Sequence, residues 1–173
     1  QSAVAAEGNT DKDLVVQGNN AFALDLYARL RPRPGNLFFC PYSIRTALTM
    51  TYAGARGNTA QQMARVLHLN LEPPRLHPAM QAWFHELRLG SNSPQGYQLY
   101  FANALWSQAG VEFHNEFRDL LQTSYGAGLQ TVDFALSVEE ARKTINTWVA
   151  EQTQGKIAEL IKSGILSPAT ILV

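Results

Sequence analysis

The chain has 173 residues, 46% of them hydrophobic, with Lys plus Arg and Asp plus Glu numbering 14 each. That length suits one domain with an ample core. Zero formal net charge offers no general attraction to a polyanion, nucleic acid included. No apolar stretch approaches the roughly 18 residues that span a bilayer, and the single cysteine, Cys40, rules out an intrachain disulfide, so packing and hydrogen bonds must hold the fold.

Residues 1–16 are small and polar and read as a flexible N-terminal tail. The start at Gln1 instead of Met fits a removed signal peptide as well as an arbitrary boundary. From Asn19, the residues Phe22, Leu26 and Leu30 recur every four positions, a helix that Pro32 and Pro34 end. Asn36, Leu37, Phe38, Phe39 and Cys40 read as a buried strand stopped by Pro41. Ser43 suits the cap of the next helix, because a hydroxyl there accepts a bond from a first-turn amide. Ile44, Ala47, Leu48, Thr51 and Ala55 share its apolar face. The 54–59 segment breaks that helix, and Thr59 with Gln62 makes a capping box for another. Cys40, at the strand end, reads as a small buried thiol, since free cysteine is among the most buried residue types.

Met80, Trp83, Phe84 and Leu87 form a further apolar face closed by Gly90, and 91–96 reads as a loop. Residues 97–106 are apolar on both alternating faces, a strand that wants cover on both sides. Phe113, Phe117, Leu120 and Leu121 suggest a short helix, and 129–134 a second strand. Ser137 and Glu140 make a capping box for a long helix with Ala141, Ile145, Trp148 and Val149 on one face. Thr170, Ile171, Leu172 and Val173 look like the opening of a buried strand. Helices mixed with non-adjacent strands read as an α+β fold.

The order from Asn36 to Met63 resembles the serpin family. Asn103, Ala104 and Leu105, then Phe117 and Tyr125, then Val132, Asp133 and Phe134, extend the likeness. Ile145, Asn146, Trp148, Thr153, Gly155, Lys156 and Ile157 carry it on, so that 17–173 reads as the N-terminal part of a serpin domain. The resemblance implies helices packed around a large mixed β-sheet. It also implies a segment that stops before the reactive-centre loop, the part that meets a protease. Residues 97–106 and 129–134 would lie in the large sheet, the Ser137 helix across its face, and Thr170 to Val173 would begin the strand beside which the cleaved loop inserts.

The implied activity is inhibition of a serine or cysteine endopeptidase as a suicide substrate: the loop is attacked, swallowed as a new strand, and the trapped acyl-enzyme stalls. The target protease would be met through the missing C-terminal part, and this segment would inhibit nothing alone. The alternative is a non-inhibitory serpin acting as carrier, chaperone or storage protein. Asn36, Cys40, Pro41 and Ser43 match the region called the shutter, with Cys40 where serpins commonly place serine. No cofactor or metal is implied. The expected location is secreted or extracellular, with an intracellular one as the alternative, and the absence of an N-x-S/T sequon leans weakly against a heavily glycosylated secreted protein.

An enzyme is the rival class, yet no G-x-S-x-G elbow, S-x-x-K pair, P-loop or H-E-x-x-H motif is present. His68, His77, His85 and His114 lack ligand spacing and read as surface or cap residues. Around 76–89 the charges Arg75 and Arg88, offset by Glu86, are too few for glycosaminoglycan binding. Gly54 to Gly57 has the spacing of a G-x-x-G loop, but without a basic groove it is a turn.

Overall fold

In the computed structural model of the protein, residues 2–91, 97–126 and 128–173 are described. They form two compact units, Gln1–Ser93 and Pro94–Val173, where the sequence reads as one continuous stretch from residue 17.

The first unit is helical: α1 (Ser2–Leu30), α2 (Pro41–Gly54), α3 (Gly57–Val66) and α4 (Pro73–Ser91). α1 ends at Leu30, as its spacing and the following prolines predict. It begins much earlier than expected, for the stretch read as a tail is helix from Ser2. Val15 is only 1% exposed, and Lys12 and Asp11 pair with Glu86 and Arg75 of α4. Local composition carries no sign of those distant anchors. α1 packs on both α2 and α4, enclosing Val15, Phe22, Met50, Leu76 and Met80.

The 36–40 segment corrects the sequence reading. It belongs to no strand, and Phe38 is 97% exposed. Its backbone is extended at Cys40, with φ −106° and ψ 101°. A strand, however, also needs a neighbour to take its amides and carbonyls, and among the described residues none pairs with it. Cys40, expected to be buried, is exposed.

α2 also departs from expectation. Its N-cap is Cys40, with Pro41 in the first turn and no side-chain cap bond. Proline suits that position because its missing N–H would have no helical acceptor, and Ser43 therefore sits inside the first turn instead of capping it. The buried side is Tyr42, Arg45, Thr46, Thr49 and Met50, not the apolar set at 44, 47, 48, 51 and 55, and Leu48 is exposed. α3 likewise starts at Gly57, behind Arg56 as N-cap, so Thr59 and Gln62 lie within the helix and make no capping box. Gly57 takes a φ of 57°, a left-handed turn that costs glycine little. α4 runs past Gly90 to Ser91, and the remainder of the expected 91–96 loop lies outside the described residues.

The second unit carries the sheet. β1 (Leu105–Gln108) and β2 (Leu129–Val132) pair in parallel, with Leu105 opposite Leu129 and Gln108 opposite Val132. β1 falls at the end of the expected 97–106 strand, and residues 97–104 belong to no strand. Between the two strands lies α5 (Asn115–Tyr125), closed by Gly126 in the left-handed conformation with φ 60°. After β2 comes α6 (Val138–Gln152). Ser137 is its N-cap as predicted, but its side chain makes no cap bond, and Glu140 instead pairs with Lys143 at 2.8 Å.

Residues 171–173 add antiparallel pairing on the other side of β1. Trp106 N–H donates to Val173 O at 2.8 Å, Val173 N–H returns a bond to Trp106 O at 2.9 Å, and Gln108 N–H donates to Ile171 O at 2.8 Å. β1 therefore lies between a parallel and an antiparallel neighbour, the mixed sheet of an α+β fold.

Candidate functional site

The sheet and the helix that covers it form the best-organised feature of the second unit. Leu105, Trp106 and Ser107 are all buried, as a strand apolar on both faces requires. Trp106 packs with Phe134 of the turn after β2 and with Ala141, Ile145 and Val149 of α6, together with Ile161. Trp148 of α6 meets Trp106 edge to face at 5.9 Å between ring centroids, a favoured aromatic arrangement. The periodicity predicts Ala141, Ile145, Trp148 and Val149 as one face, and that face lies on the sheet. β1, where the expected 97–106 strand ends, and β2, within the expected 129–134 strand, meet in one layer, and the Ser137 helix covers it.

Two polar side chains hold the turn into α6: Gln108, which the sequence reading passed over, and Asp133, which it named only for the family likeness. Gln108 Oε1 accepts bonds from Phe134 N–H at 2.6 Å and Ala135 N–H at 3.1 Å, while its Nε2 donates to Asp133 Oδ1 at 3.1 Å. Asp133 Oδ1 also accepts from Leu136 N–H at 3.0 Å. The Gln108 bond, with the backbone amides behind it, holds the Asp133 carboxyl below its ordinary value, because donors favour the ionised form. The end of β1 is thereby tied to the start of the covering helix.

In the first unit the candidate positions by resemblance are Asn36, Cys40, Pro41 and Ser43. The structure gathers them around the start of α2: Pro41 opens the helix, Cys40 precedes it, and Ser43 is half-buried in its first turn. Asn36 lies on the exposed extended segment. Beside them is the residue that sequence reasoning missed, Arg45, which is only 1% exposed. Its Nε donates to Leu67 O at 2.8 Å, one terminal nitrogen to Val15 O at 3.3 Å and the other to His68 O at 3.2 Å. A guanidinium presents five fixed donors, so one side chain joins α1, α2 and the end of α3. Gly18 makes room for it: a Cβ there would stand 2.4 Å from His68 O and 2.7 Å from the guanidinium.

The chemistry of these groups is structural. Burial drives the His77 imidazole down to about 4, since a desolvated ring resists protonation. At 2% exposure His77 is a core residue, not the surface group its isolation suggests. Burial also pushes the Tyr42 phenol up to about 12. His68 meets Asp25 at 2.7 Å, and His114 precedes α5 as its N-cap. Among the described residues no group of His, Cys, Asp and Glu is placed to hold a metal ion. Arg75, one of the few cations near α4, is engaged by Asp11. No helix among the described residues is long and apolar enough to cross a membrane.

Comparison with known proteins agrees with this architecture. The family described as Serpin (serine protease inhibitor) matches residues 17–173. Serpin B6 of Pongo abelii is 42% identical over 164 residues, covering 93% of this chain and 43% of that relative. The leukocyte elastase inhibitor of Sus scrofa is 43% identical over 157 residues, covering 90% of this chain and 40% of that relative. The chain thus spans well under half the length of these relatives. The native stressed conformation of Arabidopsis AtSerpin1 superposes with a TM-score of 0.80 at 24% identity, covering 94% of this chain and 41% of that one. With a family match across nearly its whole length, and with paired strands and a covering helix where that family's residue order implies them, the chain belongs to the serpin family.

Proposed function

We propose that this chain is the N-terminal portion of an endopeptidase inhibitor that acts on a serine or cysteine protease by suicide-substrate loop insertion. The observation that carries the reading is the antiparallel pairing of residues 171–173 with β1 through Trp106 and Gln108, which sets a third strand position beside the parallel β1–β2 pair. A sheet extended strand by strand in this way is the kind of platform that strand addition uses. On this reading the cleaved loop and the contacts with the protease come from sequence outside these 173 residues, and the segment alone does not inhibit.

The protein is on this account an inhibitor and not an enzyme, and it needs no cofactor. Glycosaminoglycan has little to bind on α4, where Arg75 is already engaged by Asp11. The names of the relatives lend secretion no support. Asn36, Cys40, Pro41 and Ser43 act in this proposal as the shutter that parts when the sheet admits a strand. Replacing Ser43 by phenylalanine in the full-length protein then promotes premature opening, read as polymers on gentle heating. A variant that stays monomeric removes the shutter role.

The deciding experiment incubates the full-length protein with trypsin-like and subtilisin-like proteases and looks for an SDS-resistant covalent adduct. The adduct is expected. Cleavage without an adduct, by both of these serine-protease types and by a papain-like cysteine protease, assigns the protein instead to the carrier, chaperone or storage members of the family.

A further inference from the structure

The segment that leaves α6 and leads to residues 171–173 has no helix or strand of its own from 153 to 170, yet its backbone is bound closely to α6. Asn146 is 7% exposed. Its Oδ1 accepts bonds from Leu160 N–H at 3.0 Å and Ile161 N–H at 2.9 Å, and its Nδ2 donates to Ile161 O at 2.8 Å. One turn earlier, Arg142 donates to the same Ile161 O at 2.9 Å and to Glu159 at 2.9 Å. Glu139 accepts from Arg142 at 2.9 Å and from Ser163 Oγ at 3.3 Å. At the far end, Thr153 Oγ1 accepts from Ile157 N–H at 3.1 Å while donating to Val149 O.

Positions 139, 142, 146 and 153 fall within roughly 60° of one another at about 100° per residue. They form one polar stripe immediately beside the apolar stripe that faces the sheet. The connector contributes in return: Ile161 is part of the core under α6, and Leu166 and Val173 pack against it. Side chains of α6 and of its C-cap Thr153 therefore supply partners to the backbone at Ile157, Leu160 and Ile161. Buried backbone groups bound in this way are costly to release singly.

We propose that Asn146, assisted by Arg142, is a positioning residue that fastens the connector to α6, so that helix and connector form a strap that lifts from the sheet as one body. β1 and β2 keep their own ladder when the strap opens. The consequence for strand admission rests on the inhibitor reading, because β1 and residues 171–173 are the pair this strap crosses and continues into. The fastening itself does not depend on that reading.

Hydrogen exchange of the full-length protein without any protease tests the fastening. In the parent protein the amides of Leu160 and Ile161 are expected to open together with those of Ile145 and Val149, at the same rate and with the same denaturant dependence. Asn146→Leu keeps the volume but loses every bond, and should speed exchange at Leu160 and Ile161 at least tenfold relative to Ile145 and Val149, leaving Trp106 and Ser107 unchanged. Arg142→Gln, on a half-buried side chain, should do the same to a smaller extent, severalfold, and serves if the first variant does not fold. Independent opening of Leu160 and Ile161 in the parent overturns the strap, as does equal acceleration throughout the unit or none. Adduct formation with a protease is read separately: an intact strap without adducts removes only the inhibitor reading, and normal adducts with an uncoupled connector remove only the strap.

Discussion

Arg45 in the first unit and Asn146 in the second both hold irregular backbone through a buried side chain, but they differ in charge and therefore in what their loss leaves behind. Asn146 is neutral and both donates to and accepts from the connector. Arg45 brings a full positive charge to carbonyls from three places in the chain. A buried ion needs its partners more than a neutral amide does, because its desolvation is far more costly. The comparison teaches that the helical unit adds to its core one charged side chain that gathers three stretches of chain, whereas the sheet unit spreads its polar restraint over a stripe beside its core.

The hardest way to break the comparison is at Arg45 itself. Arg45→Met preserves much of the stem's packing but leaves the oxygens of Leu67, Val15 and His68 short of donors. A loss of about 4 kcal/mol is expected from the deserted carbonyls, the ion's lost attractions being offset by the desolvation cost that leaves with it, read as a lower midpoint in denaturant. Asn146→Leu should cost about half as much. Equal losses at the two sites would mean that charge does not distinguish them.

A second large effect is pH dependence arising from His77. Its folded value of about 4 lies below the ordinary 6.5, so the unfolded chain binds the proton more readily than the folded one. Stability is therefore full above pH 6.5 and falls as the pH drops toward 4, by up to about 3 kcal/mol. Asp133 and Glu139, held below their ordinary values by Gln108 and Arg142 respectively, lose their contribution only at lower pH, as each passes from its ordinary value down to its folded one. Unfolding titrations from pH 7 to 4.5 should show the slope in the parent protein and lose most of it in His77→Gln. A slope that persists in that variant assigns the effect to another group.

Much of the sheet unit was legible from residue order because its stabilisation follows periodicity. The face of α6 lies where apolar spacing puts it, and β1 meets β2 as the family resemblance implies. The helical unit was less legible for a definite reason. α2 turns Arg45 and Thr49 inward, with Thr49 bonded back to Arg45 O at 2.8 Å, and a rule that looks for apolar residues selects the opposite side of the helix. Positions 40, 41 and 43 do lie together at the start of α2, but the geometry at each was not legible, since Pro41 and not Ser43 sets that start. Residues 36–40 have the composition of a strand but, among the described residues, no neighbour to make them one, and periodicity cannot count neighbours that lie far away in sequence. α1 was read short because Val15, Asp11 and Lys12 are ordered by α4, some sixty residues or more along the chain.

Gly18 sharpens the account of Arg45 at a smaller cost. A methyl group there meets a backbone oxygen at 2.4 Å and the guanidinium at 2.7 Å, and the oxygen cannot swing aside as a flexible side chain would. Gly18→Ala should cost about 2 kcal/mol through overpacking, more than offsetting the small gain in helix propensity that alanine brings. If Arg45 organises this junction, combining Gly18→Ala with Arg45→Met should cost less than the sum of the two, because the clash with the guanidinium disappears with it. Additive losses would mean that the glycine serves only the His68 carbonyl.

The smallest effect in energy concerns Cys40 and separates the extended segment from the helix it precedes. The thiol is exposed, and the cap it occupies makes no side-chain hydrogen bond, so Cys40→Ser should shift stability by less than about 0.5 kcal/mol. Reaction with a small disulfide reagent should proceed in native buffer at nearly the rate found in denaturant, since access governs thiol chemistry together with ionisation. Protection of the thiol in the full-length protein, relieved on unfolding, would show that sequence beyond these residues covers the 36–40 segment, and Phe38 should then lose its exposure along with it. Labelling with and without denaturant thus reports whether the strand suggested by the apolar run acquires its missing neighbour.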